Sequence, residues 1–268
     1  MQTHSARSER LAALRAEVRA IECAGAAGGG ACLPFEVDSI DRRLAGGGLA
    51  AAALHEVTGA APGLADDAAA TLFAAGIAAR LEGTVLWALS RPDLFAPGLA
   101  QAGLGPDRIL YAECGRDEDV LAVMEEGLRH GGLGAVVGEI GRVGMASTRR
   151  LQLAAEEGRT MALMLKRWRR NGEDPLGLPS AAVTRWRIAP SVSSPLPVEG
   201  IGRARWQIAL VRQRGGEPHE WIMEACDEKG RLALPAFPGH GQDQAAGARG
   251  FDREPFFPAR EEGGLAAA

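Results

Sequence analysis

The stretch Thr58-Gly59-Ala60-Ala61-Pro62-Gly63-Leu64-Ala65-Asp66-Asp67 has the outline of a phosphate loop without its chemistry. A working loop, G-x-x-x-x-G-K-[ST], neutralises phosphate with backbone amides and a lysine, and holds magnesium through a hydroxyl. Counted from Gly59 without gaps, the lysine position is Ala65 and the hydroxyl position is Asp66. Shifting the alignment does not help, because the only lysines in the chain are Lys166 and Lys229. Asp66 and Asp67 suit the positive end of a helix dipole, so they read as first-turn residues that cap and charge a helix. They would also repel a triphosphate by about a few kcal/mol if partly buried. ATP hydrolysis is therefore not expected, and the chain reads as a non-enzyme without catalytic residue, cofactor or metal.

The other positions where nucleotide chemistry would sit are equally bare. Val136-Val137-Gly138-Glu139 ends a strand without the expected Asp. Glu139 is open to two readings, a metal ligand or a strand-end carboxylate that contacts the neighbouring helix, and the second is favoured. Ser90-Arg91-Pro92-Asp93 reads as a turn. His4, His55, His130, His219 and His240 are scattered, and the four cysteines include no CxxC pair, so neither a zinc site nor a disulfide framework is expected.

Charge supplies a binding hypothesis instead. Residues 1–141 carry 11 Arg and no Lys against 19 acids, whereas residues 142–214 carry 14 Lys and Arg against 5 acids. An acidic body with one basic segment suits either an anionic partner met by that segment or a solvated basic surface. The segment holds Lys166-Arg167-Trp168-Arg169-Arg170, then Arg185-Trp186-Arg187, then Arg203-Ala204-Arg205-Trp206. Cations neutralise phosphates and aromatic faces stack on unpaired bases, so these residues are candidates for single-stranded DNA or partner contact. The competing reading puts Trp186, Trp206 and Trp221 in the core, with arginine stems lying along the sheet.

These residues need a scaffold. The 268 residues suit one large domain or two small ones. No apolar run approaches the roughly 18 residues of a membrane span, and the charged N-terminus does not resemble a signal peptide, so a cytoplasmic protein is expected. Short apolar runs at 54–58, 84–89, 108–112, 135–140 and 160–165 alternate with helical patterns at 66–81, 97–103, 116–130 and 146–157. That alternation predicts a doubly wound α/β domain with a mostly parallel sheet. Segments 183–189, 204–212 and 220–226 alternate polar and apolar, and predict an antiparallel extension. Residues 34–235 form this core, and Asp38 is expected to cap its first helix.

Residues 1–33 hold an amphipathic helix with Leu11, Leu14, Val18 and Ile21 on one seam, followed by a Gly-rich linker. That helix either folds back on the domain or docks on a partner. Residues 236–268 have the composition of a disordered tail. Within it, Arg253-Glu254-Pro255-Phe256-Phe257-Pro258 is either a recognition peptide or packs on the parent domain.

DSIDRRLAGGGLAAAALHEVTG resembles the start of the RecA fold, where a Gly-rich turn precedes a strand ending in Glu and Gly. LWALSRPDLFAPGLAQAGL, GRDEDVLAVMEEGLRHGGLGAVVGEIGR, RRLQLAAEEG and WIMEACDEKGRLALP extend the likeness over about residues 34–235. On these segments the chain is similar to the ImuA family, RecA-like accessory proteins of damage-induced mutagenesis. The resemblance implies an SOS role in translesion synthesis beside ImuB, a polymerase-like protein, and indirectly an error-prone C-family DNA polymerase. It leaves RecA and single-stranded DNA as further candidate partners, and it carries over no catalytic residue. It also places Lys166–Arg170 and the Gly- and Pro-containing residues 172–180 where RecA-like proteins carry a mobile DNA-contacting loop. A degenerate ATPase and a SulA-like cell-division inhibitor are the alternatives.

Overall fold

In the computed structural model, residues 31–168, 172–193, 200, 202–235 and 256 are described. The N-terminal seam of Leu11, Leu14, Val18 and Ile21, with Arg169, Arg170 and nearly all of the tail, lies outside the described residues. A two-stranded ribbon, β1 (Cys32–Leu33) with β2 (Leu49–Ala50), brackets a short helix α1 (Asp38–Asp41). Cys32 and Leu33, inside the stretch read as linker, belong instead to the fold, with ladder partners in Ala50 and Leu49.

The main sheet alternates with helices as its apolar runs predict. In chain order come β3 (Leu54–Gly59), α2 (Leu64–Ala79), β4 (Val85–Leu89), α3 (Ala96–Gln101), β5 (Ile109–Glu113), α4 (Asp117–His130), β6 (Ala135–Ile140), α5 (Met145–Gly158) and β7 (Met161–Lys166). Then follow β8 (Thr184–Ser191), β9 (Arg205–Gln213) and β10 (His219–Glu224). The spatial order is β10-β9-β8-β3-β7-β6-β4-β5. β8 runs parallel to β3 and antiparallel to β9, so the antiparallel part starts one strand later than alternation predicts. Polar–apolar alternation reports burial and not direction, which is why the sequence did not separate β8 from its neighbours.

Each side of the sheet has its own core. On the α2 side Phe73 lies against Trp186 at 5.7 Å, and Trp186 against Trp221 at 6.2 Å, with Trp87 and Trp206 in the same cluster. These tryptophans are core residues, as the alternating strands required. On the α4 and α5 side Leu86, Met124, Leu128, Val136 and Met164 form the second cluster. Continuous apolar strands β3, β4, β6 and β7 feed both. Asp38 is not a cap: Val37 stands at that position, and Asp41 reaches back to accept from the backbone N–H of Phe35 and Val37.

Candidate functional site

Ligands of such folds gather beyond the C-terminal ends of the parallel strands. Here those ends bring the β3–α2 loop, the last residues of β6 and the exit of β7 together. Gly59 is required where it stands, because a side-chain carbon there would come within 2.8 Å of the Asp66 carbonyl carbon. The Ala60 N–H is committed to the Ile188 carbonyl of β8 at 2.8 Å, so one loop amide is unavailable to a phosphate. Gly63, which has no side chain to offer, stands at the N-cap position of α2; both acids lie in the first turn and Asp66 is buried. Burial raises the Asp67 carboxyl above its usual range, opposed by Arg167 and Arg91.

The exit of β7 fills the site from inside. Side chains alternate across a strand, so Lys166 turns to the α4 and α5 side and Arg167 to the α2 side. Arg167 donates Nε and Nη2 to Glu139 Oε2 at 2.9 and 2.6 Å, and Nη1 to the Asp67 carbonyl at 3.1 Å. Glu139 Oε1 accepts from the Trp87 indole at 2.8 Å. Trp168 donates its indole N–H to the Gly59 carbonyl at 2.8 Å, tying the β7 exit onto the loop. Glu139 therefore bonds Trp87 on the neighbouring strand and Arg167 at the β7 exit, and Arg167 links it to the Asp67 carbonyl of α2. Beside this closure a cleft of about 320 Å³ is lined by Ser90, Arg91, Asp117, Glu139, Arg167 and Trp168.

Behind it lies a polar cluster not foreseen as a site. Glu56 is fully buried in β3 and accepts from Ser180 Oγ at 2.6 Å and Arg185 Nε at 2.7 Å, while Lys166 Nζ lies 3.5 Å away. Desolvation lowers the Lys166 ammonium below its usual range, only partly offset by Glu56. The signals were a carboxylate inside the apolar run LHEVTG and a lysine closing TMALMLK, but pairing them needed the β3–β7 register.

The chain is 38% identical over 204 residues to the protein named ImuA from two strains of Caulobacter vibrioides, covering 72% of this chain and 83% of that protein. The chain belongs to the ImuA family. No protein-family model matches it. The solved RadB recombinase superposes with a TM-score of 0.52 at 16% identity, over 75% of this chain and 98% of the recombinase, which shows the RecA-like fold.

Placed on the fold, the basic segment of this ImuA-family protein is mostly spent internally. Lys166 and Arg185 are buried against Glu56, which removes both from any DNA-contacting surface. Arg187 pairs with Asp174 at 2.9 Å, and Arg203 holds Glu224 and the Ala225 and Arg231 carbonyls. Arg205 is half-buried, its Nε without a hydrogen-bond partner among the described residues. Residues 172–180 form neither helix nor strand and are largely exposed, anchored where Arg142 holds Glu173 at 3.0 Å, Leu176 is buried and Ser180 is tied to Glu56. Among the described residues no group of three or more His, Cys, Asp or Glu is placed to hold a metal, and no helix is long and apolar enough to cross a membrane.

Proposed function

We propose that this ImuA-family protein is a non-catalytic RecA-fold scaffold of the ImuA/ImuB mutagenesis system, active in the SOS DNA-damage response. It recruits an ImuB-type polymerase-like protein and, through it, an error-prone C-family polymerase to damaged DNA. RecA and single-stranded DNA are further partners. The observation that carries this reading is the closure of the degenerate loop by Arg167 and Trp168. A guanidinium already engaged in three hydrogen bonds to Glu139 and the Asp67 carbonyl offers a nucleotide little, and leaving Glu139 unpaired would cost more than losing a surface ion pair does. With Lys166, Arg185, Arg187 and Arg203 each paired within the domain, DNA contact falls to Arg169, Arg170 and Arg205.

The test combines calorimetry with magnesium nucleotides, a turnover assay and co-purification. The expected result is neither saturable nucleotide binding nor turnover, together with a stable complex with the ImuB-type protein. Tight occupancy with hydrolysis that disappears in Glu139→Gln would make the protein a degenerate ATPase. Retention of the cell-division GTPase in place of ImuB would make it an inhibitor of division.

A further inference from the structure

A groove between α2 and α3, about 210 Å³ in volume, is lined by Leu64, Ala68 and Leu72 on one wall and Leu94, Phe95 and Leu99 on the other. Its apolar rim is open to water: Leu64 is 86% exposed and Phe95 70% exposed. At one end sits Asp67, whose Oδ1 is buried and makes no hydrogen bond among the described residues, with Arg167 3.9 Å away and Arg91 lining the same end. A buried acceptor without a donor is costly, and a ligand that supplies the donor recovers that cost. The occupant that suits the groove is thus an apolar seam bordered by arginine or another N–H donor.

One segment of the chain has that chemistry and can reach. Leu11, Leu14, Val18 and Ile21 repeat at helical spacing, with Arg15 and Arg19 beside the seam. The described chain begins at Ala31, close to the C-terminal end of α2, where the Arg80 guanidinium holds the Pro34 carbonyl. A helix of the length of α2 spans about 24 Å. The eight residues 23–30 extend over roughly 26 Å, enough to return the segment along α2 to the groove. Of the tail, Phe256 lies elsewhere: its N–H bonds Glu220 on β10, the strand at the edge of the sheet.

We propose that residues 8–22 cover this groove in cis, lying along α2 as an amphipathic helix with leucines against Leu64, Ala68 and Phe95 and an arginine at Asp67. The proposal is independent of whether the domain binds nucleotide. Hydrogen exchange on the full chain tests it, comparing the wild type with L64E/A68E, whose substituted positions are exposed and leave the core intact. The expected result is roughly tenfold slower exchange of amides 8–22 in the wild type than in that variant, with β3 equally protected in both. L14E/V18E should reproduce the loss, and a synthetic peptide of residues 5–24 should then bind that variant. Equal exchange of 8–22 in wild type and L64E/A68E would overturn the proposal. So would protection that grows with protein concentration, which would assign the groove to a second copy.

Discussion

Arg167 grips Glu139 through one carboxylate oxygen and leaves the other to Trp87. The β6–β7 register sets this up: Glu139 lies opposite Leu165, and the Arg167 N–H donates to the Ile140 carbonyl at 2.9 Å. The arginine therefore lies two residues beyond the one opposite the carboxylate and folds back over it. A cation that could have met phosphate is fixed as part of the wall.

Breaking this closure from one side should be costly. Arg167→Ala leaves Glu139 nearly buried beside an indole with no counter-ion, and a loss of about 3 kcal/mol is expected. In Arg167→Met with Glu139→Gln, the amide oxygen still accepts from Trp87 and no charge is stranded. That pair should lie within about 1 kcal/mol of the wild type. Urea midpoints of the wild type, Arg167→Met, Glu139→Gln and the combined variant provide the double-mutant cycle, and simple additivity would refute a coupled pair.

Lys166 should behave in the opposite way. Its Nζ comes no nearer than 3.5 Å to Glu56 Oε1, while Glu56 keeps Ser180 and Arg185 when the lysine is gone. Lys166→Met should be neutral or stabilising by about 1 kcal/mol, whereas Glu56→Gln strands two cations and should cost about 3–5 kcal/mol. The folded protein holds the lysine proton less tightly than the unfolded chain does, so the unfolded state binds more protons up to its value of about 10.4. Stability contributed at this position accordingly rises with pH through that window, and Lys166→Met should flatten the rise. Denaturation midpoints between neutral pH and pH 10 decide it.

The alternation of apolar runs and helical periods in 54–166 made the parallel sheet readable, because strands buried on both faces are predominantly apolar. The missing loop lysine was equally plain from composition. What stayed hidden depended on register: that Lys166 and Arg167, adjacent in sequence, serve opposite faces, and that Glu56 and Glu139 each wait for one of them. An arginine-rich segment looks alike whether its charges face DNA or a buried carboxylate. Asp41 displaced Asp38 as the acid that binds backbone N–H groups for the same reason, since the fold of Phe35–Val37 decided which acid was in reach.

His55 makes the domain sensitive to acid. Its Nε2–H donates to the Ala50 carbonyl, which can only accept, and its Nδ1 therefore accepts from Thr184 Oγ1, which in turn accepts from the Trp186 indole. Burial pushes the imidazole down to about 4. The unfolded chain takes up this proton near pH 6.5 and the folded chain does not, so stability is complete above that value and falls as pH drops toward 4. The loss amounts to about 3 kcal/mol. Midpoints at pH 7, 5 and 4 should fall less steeply in His55→Gln than in the wild type, and parallel slopes would remove His55 from the account.

Gly76, in the middle of α2, should resist the usual gain from alanine. In an open helix the exchange would stabilise by about 1 kcal/mol. Here the added methyl would overlap Cys226 Sγ and press on its Cβ at 3.0 Å, and overpacking costs about 1–3 kcal/mol. Gly76→Ala should thus be net destabilising, and adding Cys226→Ala should return most of the loss because it removes the obstructing sulfur. The thiol offers a second readout. Burial pushes it up to about 12, so Cys226 should label far more slowly than exposed Cys32 in the wild type and faster once Gly76→Ala has forced it outward. A Gly76→Ala protein as stable as the wild type, with Cys226 still slow to label, would mean that this contact yields without cost.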